Sequence, residues 1–100
     1  MMNRLIFTSE PGQRYSFAMG DRKVTISFRY NLAINRFTFS LSIDEAEVLS
    51  GRRLVTNVDL LKPFAFGVGA LIAYDPDGRG REATLENLAR GDVRVAHVFP

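Results

Sequence analysis

The sequence predicts an all-β fold: a small barrel or sandwich of about seven short, mostly antiparallel strands with one or two short helical turns. Three observations carry that expectation. From Val24 to Tyr30, and again from Phe37 to Ile43, every second residue is large and apolar while those between are small, polar or charged. A strand sends successive side chains to opposite faces, so this is the period of a half-buried sheet; on a helix, residues two apart diverge. The linker Asn31 to Asn35 between the two stretches has a hairpin's length. Turn signals at Pro11-Gly12, Gly20-Asp21 and Asp75-Pro76-Asp77-Gly78 punctuate the rest, as they do in small β architectures.

In chain order, Asn3 to Thr8 fits a first short strand. Pro11-Gly12 turns the chain, and Tyr15-Ser16-Phe17-Ala18-Met19 alternates again as a second strand. Gly20-Asp21-Arg22 leads into the main hairpin, where Val24, Ile26, Phe28 and Tyr30 share a face with Phe37, Phe39, Leu41 and Ile43. Asp44-Glu45-Ala46-Glu47 closes that hairpin as a loop or a single helical turn. Gly51 is expected at a tight turn, after which Leu54-Val55-Thr56 runs extended. Asn57 to Lys62, stopped by Pro63, suggests one helical or 3₁₀ turn. Phe64 to Gly69 reads as an apolar loop. Ala70-Leu71-Ile72-Ala73-Tyr74 is apolar on both faces and so expected in the middle of a sheet. Asp75 to Gly80 is a turn, Leu85 to Ala89 a short helical turn, and Val93 to Phe99 the last strand.

With 100 residues and 46% hydrophobic composition, one domain spanning residues 1–100 is expected. No apolar run approaches the ~20 residues of a membrane helix. The apolar start, Leu5-Ile6-Phe7, is shorter than the roughly 7–15 residues of a secretory signal's core, which predicts a protein that stays in the cytoplasm where it is made. The absence of cysteine excludes disulfides, thiolate metal sites and cysteine nucleophiles. A net charge of +2 is too mild to argue for nucleic acid. Arginine supplies 11 of the 13 basic residues. That suits planar, partly desolvated interface pairs, and follows equally from a GC-rich coding sequence.

The candidate chemistry is thin. His97, the one histidine, lies between Ala96 and Val98 in a predicted strand with no nucleophile or carboxylate nearby in sequence, and reads as a surface or edge imidazole. Counted from Asp75, the calcium-loop spacing finds Asp77 at position three, Gly80 at six and Glu86 at twelve. Arg79 then falls where a ligand belongs, and an Asp-Pro-Asp-Gly turn explains the same residues, so Asp75, Asp77 and Glu86 form only a weak metal candidate. The glycines near Phe64 to Gly69 lack the Lys-Ser/Thr of a phosphate loop. Asp44, Glu45 and Glu47 sit in a solvated connection and form no acid–base pair. No cofactor and no catalytic residue is predicted. Candidate interface residues are Arg52, Arg53, Phe64 and Phe66; the two phenylalanines either form an exposed contact patch or cap the end of the core.

From Tyr30 onward the order of elements resembles a known group. Tyr30-Asn31 stands near the hairpin turn, followed by Gly51 with Leu54 and Val55, Val58-Asp59-Leu60-Leu61, Gly69-Ala70-Leu71-Ile72, the turn Asp75 to Gly80, Leu88 and Val93-Arg94-Val95. In that layout, over about residues 15–99, the chain is similar to the small plug-type baseplate proteins of bacteriophage and prophage contractile tails. Phe37 stands where relatives often place tryptophan. The resemblance implies a β-rich, non-enzymatic virion protein of the tail baseplate, assembled in the host cytoplasm. It implies a homo-oligomer, a trimer at the baseplate axis, that plugs or lines the tail-tube end beside hub and tail-tube proteins. The alternative is a stand-alone β-barrel binding module for single-stranded nucleic acid or a small ligand, with Phe28, Tyr30, Phe37 and Phe39 as stacking platforms if that face were open.

Overall fold

The computed structural model describes residues 2–62 and 67–98. Seven strands and one short helix follow in the order β1 (Met2–Leu5), β2 (Gly12–Met19), β3 (Arg22–Asn31), β4 (Arg36–Ile43), β5 (Ala46–Arg53), β6 (Ala70–Tyr74), α1 (Leu85–Arg90) and β7 (Arg94–Val98). The predicted all-β class holds, in its sandwich form. β2-β3-β4-β5 is a four-stranded antiparallel meander and β1-β7-β6 a three-stranded antiparallel sheet; the two do not close into a barrel.

The period-two stretches set the main sheet. β4 alternates without exception, with Phe37, Phe39, Leu41 and Ile43 buried and Arg36, Thr38, Ser40 and Ser42 half-buried on the other face. Register then stacks like on like: Val24 opposite Ile43, Ile26 opposite Leu41 and Phe28 opposite Phe39. From the smaller sheet, Leu71, Ala73, Val95 and His97 enter the same core. Phe7, in the connection after β1, wedges into the aromatic cluster, its ring 4.9 Å from Phe28 and 5.4 Å from Phe37. Fully burying a side chain of this kind stabilises by about 1.5–3 kcal/mol, so this shared layer dominates the fold's energetics. Tyr15 pins the connection over it: its hydroxyl donates to the Ile6 carbonyl at 2.6 Å, and burial pushes its pKa up to about 12.

Several local expectations need correction. Asp44 and Glu45, with φ of 51° and 69°, make a two-residue hairpin turn, not a loop or helical turn through Glu47. Gly51 lies inside β5, not at a turn. Its φ of 60° sits next to the register shifts between β4 and β5, where an extra residue on one strand leaves a bulge. β6 is at the edge of its sheet and β7 is central. The chain leaving β5 covers the free edge of β6. Leu54 N–H donates to Phe37 O at 2.9 Å, still on the main sheet; Asn57 N–H then donates to Ala73 O at 2.7 Å and Leu60 N–H to Leu71 O at 2.8 Å. Residues 54–60 thus stitch one sheet to the other. The expected turn after Asn57 is present, with Lys62 N–H on Asp59 O.

His97 is the clearest reversal. It is fully buried in the central strand β7, not at a surface or edge. Its ring lies 4.6 Å from that of Phe17 on the opposite sheet, and its Nε2 is 2.5 Å from the Val68 carbonyl. A carbonyl only accepts, so Nε2 carries a proton. Desolvation lowers the His97 pKa, which favours the neutral ring.

Candidate docking surfaces

With the aromatic face consumed by the core, chemistry must be sought at the surface. Of the four stacking candidates, Phe28, Phe37 and Phe39 are almost entirely inaccessible and Tyr30 is half-buried against Phe37, so they form no open stacking platform.

The loop after β6 brings Asp75, Asp77 and Arg81 together. Arg81 Nε and Nη2 donate to Asp75 Oδ2 and Oδ1 at 2.9 and 3.0 Å, and Nη2 also reaches Asp77 Oδ2 at 3.0 Å. Asp75 further accepts the backbone N–H groups of Asp77 and Arg81. The guanidinium and these amides hold the Asp75 carboxyl well below the usual carboxylate range. A cationic side chain thus occupies the place where the calcium spacing would put an ion. Glu86 sits apart in the first turn of α1. Among the described residues no three His, Cys, Asp or Glu side chains converge as metal ligands do. The network continues through Arg81 Nη1 to Asp92 at 3.3 Å and Arg90 Nε to Asp92 at 3.1 Å, tying the loop to the end of α1. α1 itself is fixed by the Thr84 side chain accepting from Asn87 N–H and by Gly91 in the left-handed conformation. In this assembly Asp75, Asp77 and Asp92 each pair with arginine.

Arg52 and Arg53 end β5 and are both exposed. Arg53 stands opposite Thr38, on the outer face, and Arg52 opposite Phe39. Phe64 and Phe66 lie outside the described residues. Sequence reasoning missed two other exposed features. The tip of the β3–β4 hairpin carries Leu32 and Ile34, 85% and 48% exposed, far more than a core role would allow. The outer face of the meander also sorts its charges by row. Reading across the strands, Gly12, Arg29, Thr38 and Arg53 are level, then Arg14, Ser27 and Ser40, then Ser16, Thr25, Ser42 and Glu47. A trough of about 580 Å³ runs along this face, with Arg29 and Thr38 at one end, Arg14, Ser27 and Ser40 midway, and Ser42 and Glu47 at the other end. The alternating pattern could have flagged those residues as outward; only the register aligns them.

The described surface of this small β-sandwich exposes the Leu32–Ile34 hairpin tip and several arginines. A family model described as cyanophage baseplate Pam3 plug gp18 matches residues 2–98. The chain belongs to that family. No curated protein matches it. As a baseplate plug protein it is a structural component of the phage virion tail and interacts with other baseplate components.

Proposed function

We propose that the chain is a non-enzymatic subunit of a contractile-tail baseplate that plugs or lines the central hub at the tail-tube end. It does so as one β domain, through protein–protein contacts alone, with three copies around the tail axis and assembly in the host cytoplasm. The family match over residues 2–98 carries this reading. The architecture supports it. A rigid core fixes the geometry, while Arg52, Arg53 and the Leu32–Ile34 tip supply a contact surface of mixed polarity. Arginine and exposed aliphatic residues at a polar-rimmed patch suit an interface that holds firmly without being obligate. The proposed part for Phe64 and Phe66 is a further apolar contact.

The test is reconstitution with the hub and tail-tube proteins of the same phage. Co-elution with the hub, and loss of tube closure in tails that lack this protein, are the expected results. Tails that assemble and close normally without it, together with no binding to either partner, would overturn the reading.

A further inference from the structure

The four-stranded sheet is charge-polarised along its strands. At one end, the β2–β3 and β4–β5 turns gather Asp21, Asp44 and Glu45, with Glu47 next to them on β5. All four are exposed, and Lys23 Nζ reaches Glu45 at 3.2 Å. At the other end, the outer face carries Arg14, Arg29 and Arg53. Arg36, Arg81 and Arg90 each hold a carboxylate. Arg14, Arg29 and Arg53 form no such pair among the described residues. The rows of Arg29 and Glu47 are about 13 Å apart at ~3.3 Å per strand residue, beyond a Debye length at physiological salt, so the two ends do not neutralise each other within one chain.

We propose that the occupant of this arginine end is a second copy of the same chain, docked by its acidic turn. The two patches are complementary in charge. The Asp44–Glu45 turn closes β4 onto β5 and is tied to β3, because the Asp44 carboxylate accepts the Lys23 N–H at 2.8 Å and Asp44 N–H donates to Lys23 O at 2.8 Å. Arg14 and Arg29 line the trough on this face, floored by small hydroxyl side chains, with Glu47 at its far end. Carboxylates between guanidinium groups form charge-assisted, often bidentate hydrogen bonds. The patches lie at opposite ends of one sheet, so the contact is head-to-tail. Each copy then offers one socket and one plug, and a series of copies closes into a ring when the rotation allows. The inference rests on the baseplate reading only for bringing several copies to one axis; an acidic surface on a different protein and nucleic acid are the competing occupants.

Sedimentation analysis of the purified chain tests it. Wild type should associate with rising concentration at low salt and lose at least ~10-fold in affinity near 1 M salt, where the Debye length shrinks to about 3 Å. Arg14→Glu with Arg29→Glu should leave a monomer, as should Glu45→Lys with Glu47→Lys. All four substitutions in one chain should restore association, and unchanged melting temperatures would show that each variant is folded. A wild type monomeric at every concentration, or association indifferent to the swaps, overturns the proposal. So does retention of single-stranded DNA or an acidic hub peptide at the arginine end in place of a second copy. Hub binding by a chain that stays monomeric would sink this inference while leaving the baseplate reading intact.

Discussion

Asp75 and Arg81 form a two-pronged ion pair in which the carboxylate is nearly inaccessible, its side chain 3% exposed against 24% for the guanidinium. A carboxylate removed from water and bound at both oxygens depends on its partner, because an uncompensated buried charge costs more than the pair gains. Arg81→Met is therefore expected to lower the melting temperature more than Arg36→Ala or Lys23→Ala, whose carboxylate partners Glu82 and Glu45 are 63% and 78% exposed. The pH sign follows from the depressed Asp75 pKa. Its stabilisation is complete above the unfolded value of about 4 and drains away as the pH falls below it. Asp75→Asn should flatten the acid limb of the stability curve, measured by urea unfolding from pH 2 to 6.

His97 gives a second, separate pH window. Its folded pKa is lowered by desolvation, so the unfolded chain binds the proton more readily. Stability from the neutral ring is present above the unfolded value of about 6.5 and falls as the pH drops through that value toward the folded one. His97→Leu keeps an apolar side chain against Phe17 but cannot titrate. Its unfolding free energy should be independent of pH between about 5 and 7, where wild type slopes upward. An equal slope in both proteins would assign the effect elsewhere.

How far the fold could be read from the chain depends on which question the period answers. Alternation states which residues share a face, and Val24 to Tyr30 with Phe37 to Ile43 placed the core correctly because both strands are long and paired to each other. It does not state which strands become neighbours. Ala70 to Tyr74 looked central because both its faces are apolar. The cover on its edge comes from residues 54–60, Leu-Val-Thr-Asn-Val-Asp-Leu, which lack the strict alternation of a strand. His97 misled for a related reason: a single polar residue in a short terminal strand carries no mark of which strand will lie beside it. The charge rows of the outer face needed register, and the register of β5 is displaced by its bulge. Short-range spacing assembled Asp75, Asp77 and Glu86 into a calcium template, whereas Arg81 was the group that closed the loop.

Gly51 offers a test of backbone conformation without steric crowding. Its φ is +60°, yet a Cβ built there would meet nothing within 4 Å. Its N–H donates to Ser40 Oγ at 3.2 Å, holding the bulge in place. Gly51→Ala should cost about 1–2 kcal/mol from left-handed backbone strain alone. Gly51→Asn should cost less, since asparagine tolerates that region. Gly12, which has no positive φ and equally open surroundings, should accept alanine with a change of less than about 0.5 kcal/mol. Equal losses at Gly12 and Gly51 in chemical denaturation would refute the bulge argument.

The hairpin tip separates stability from assembly. Leu32 and Ile34 are held out on a short turn in which Ala33 N–H donates to Asn31 Oδ1 at 3.0 Å and Asn35 adopts a φ of 51°. Neither side chain belongs to the buried core, so Leu32→Ser with Ile34→Ser should move the unfolding free energy by no more than about 0.5 kcal/mol per site. If the tip is a baseplate contact, the same double variant loses apolar area at the interface. Truncating an anchor there typically weakens binding by 1 kcal/mol or more, about a five-fold loss or greater. The expected pattern is an unshifted melting temperature together with reduced co-elution with the hub and poorer incorporation into tails. Normal incorporation of the variant would move the contact surface to the arginine rows. A lowered melting temperature would mean instead that the tip serves the fold, with its exposed side chains packing on this chain in solution.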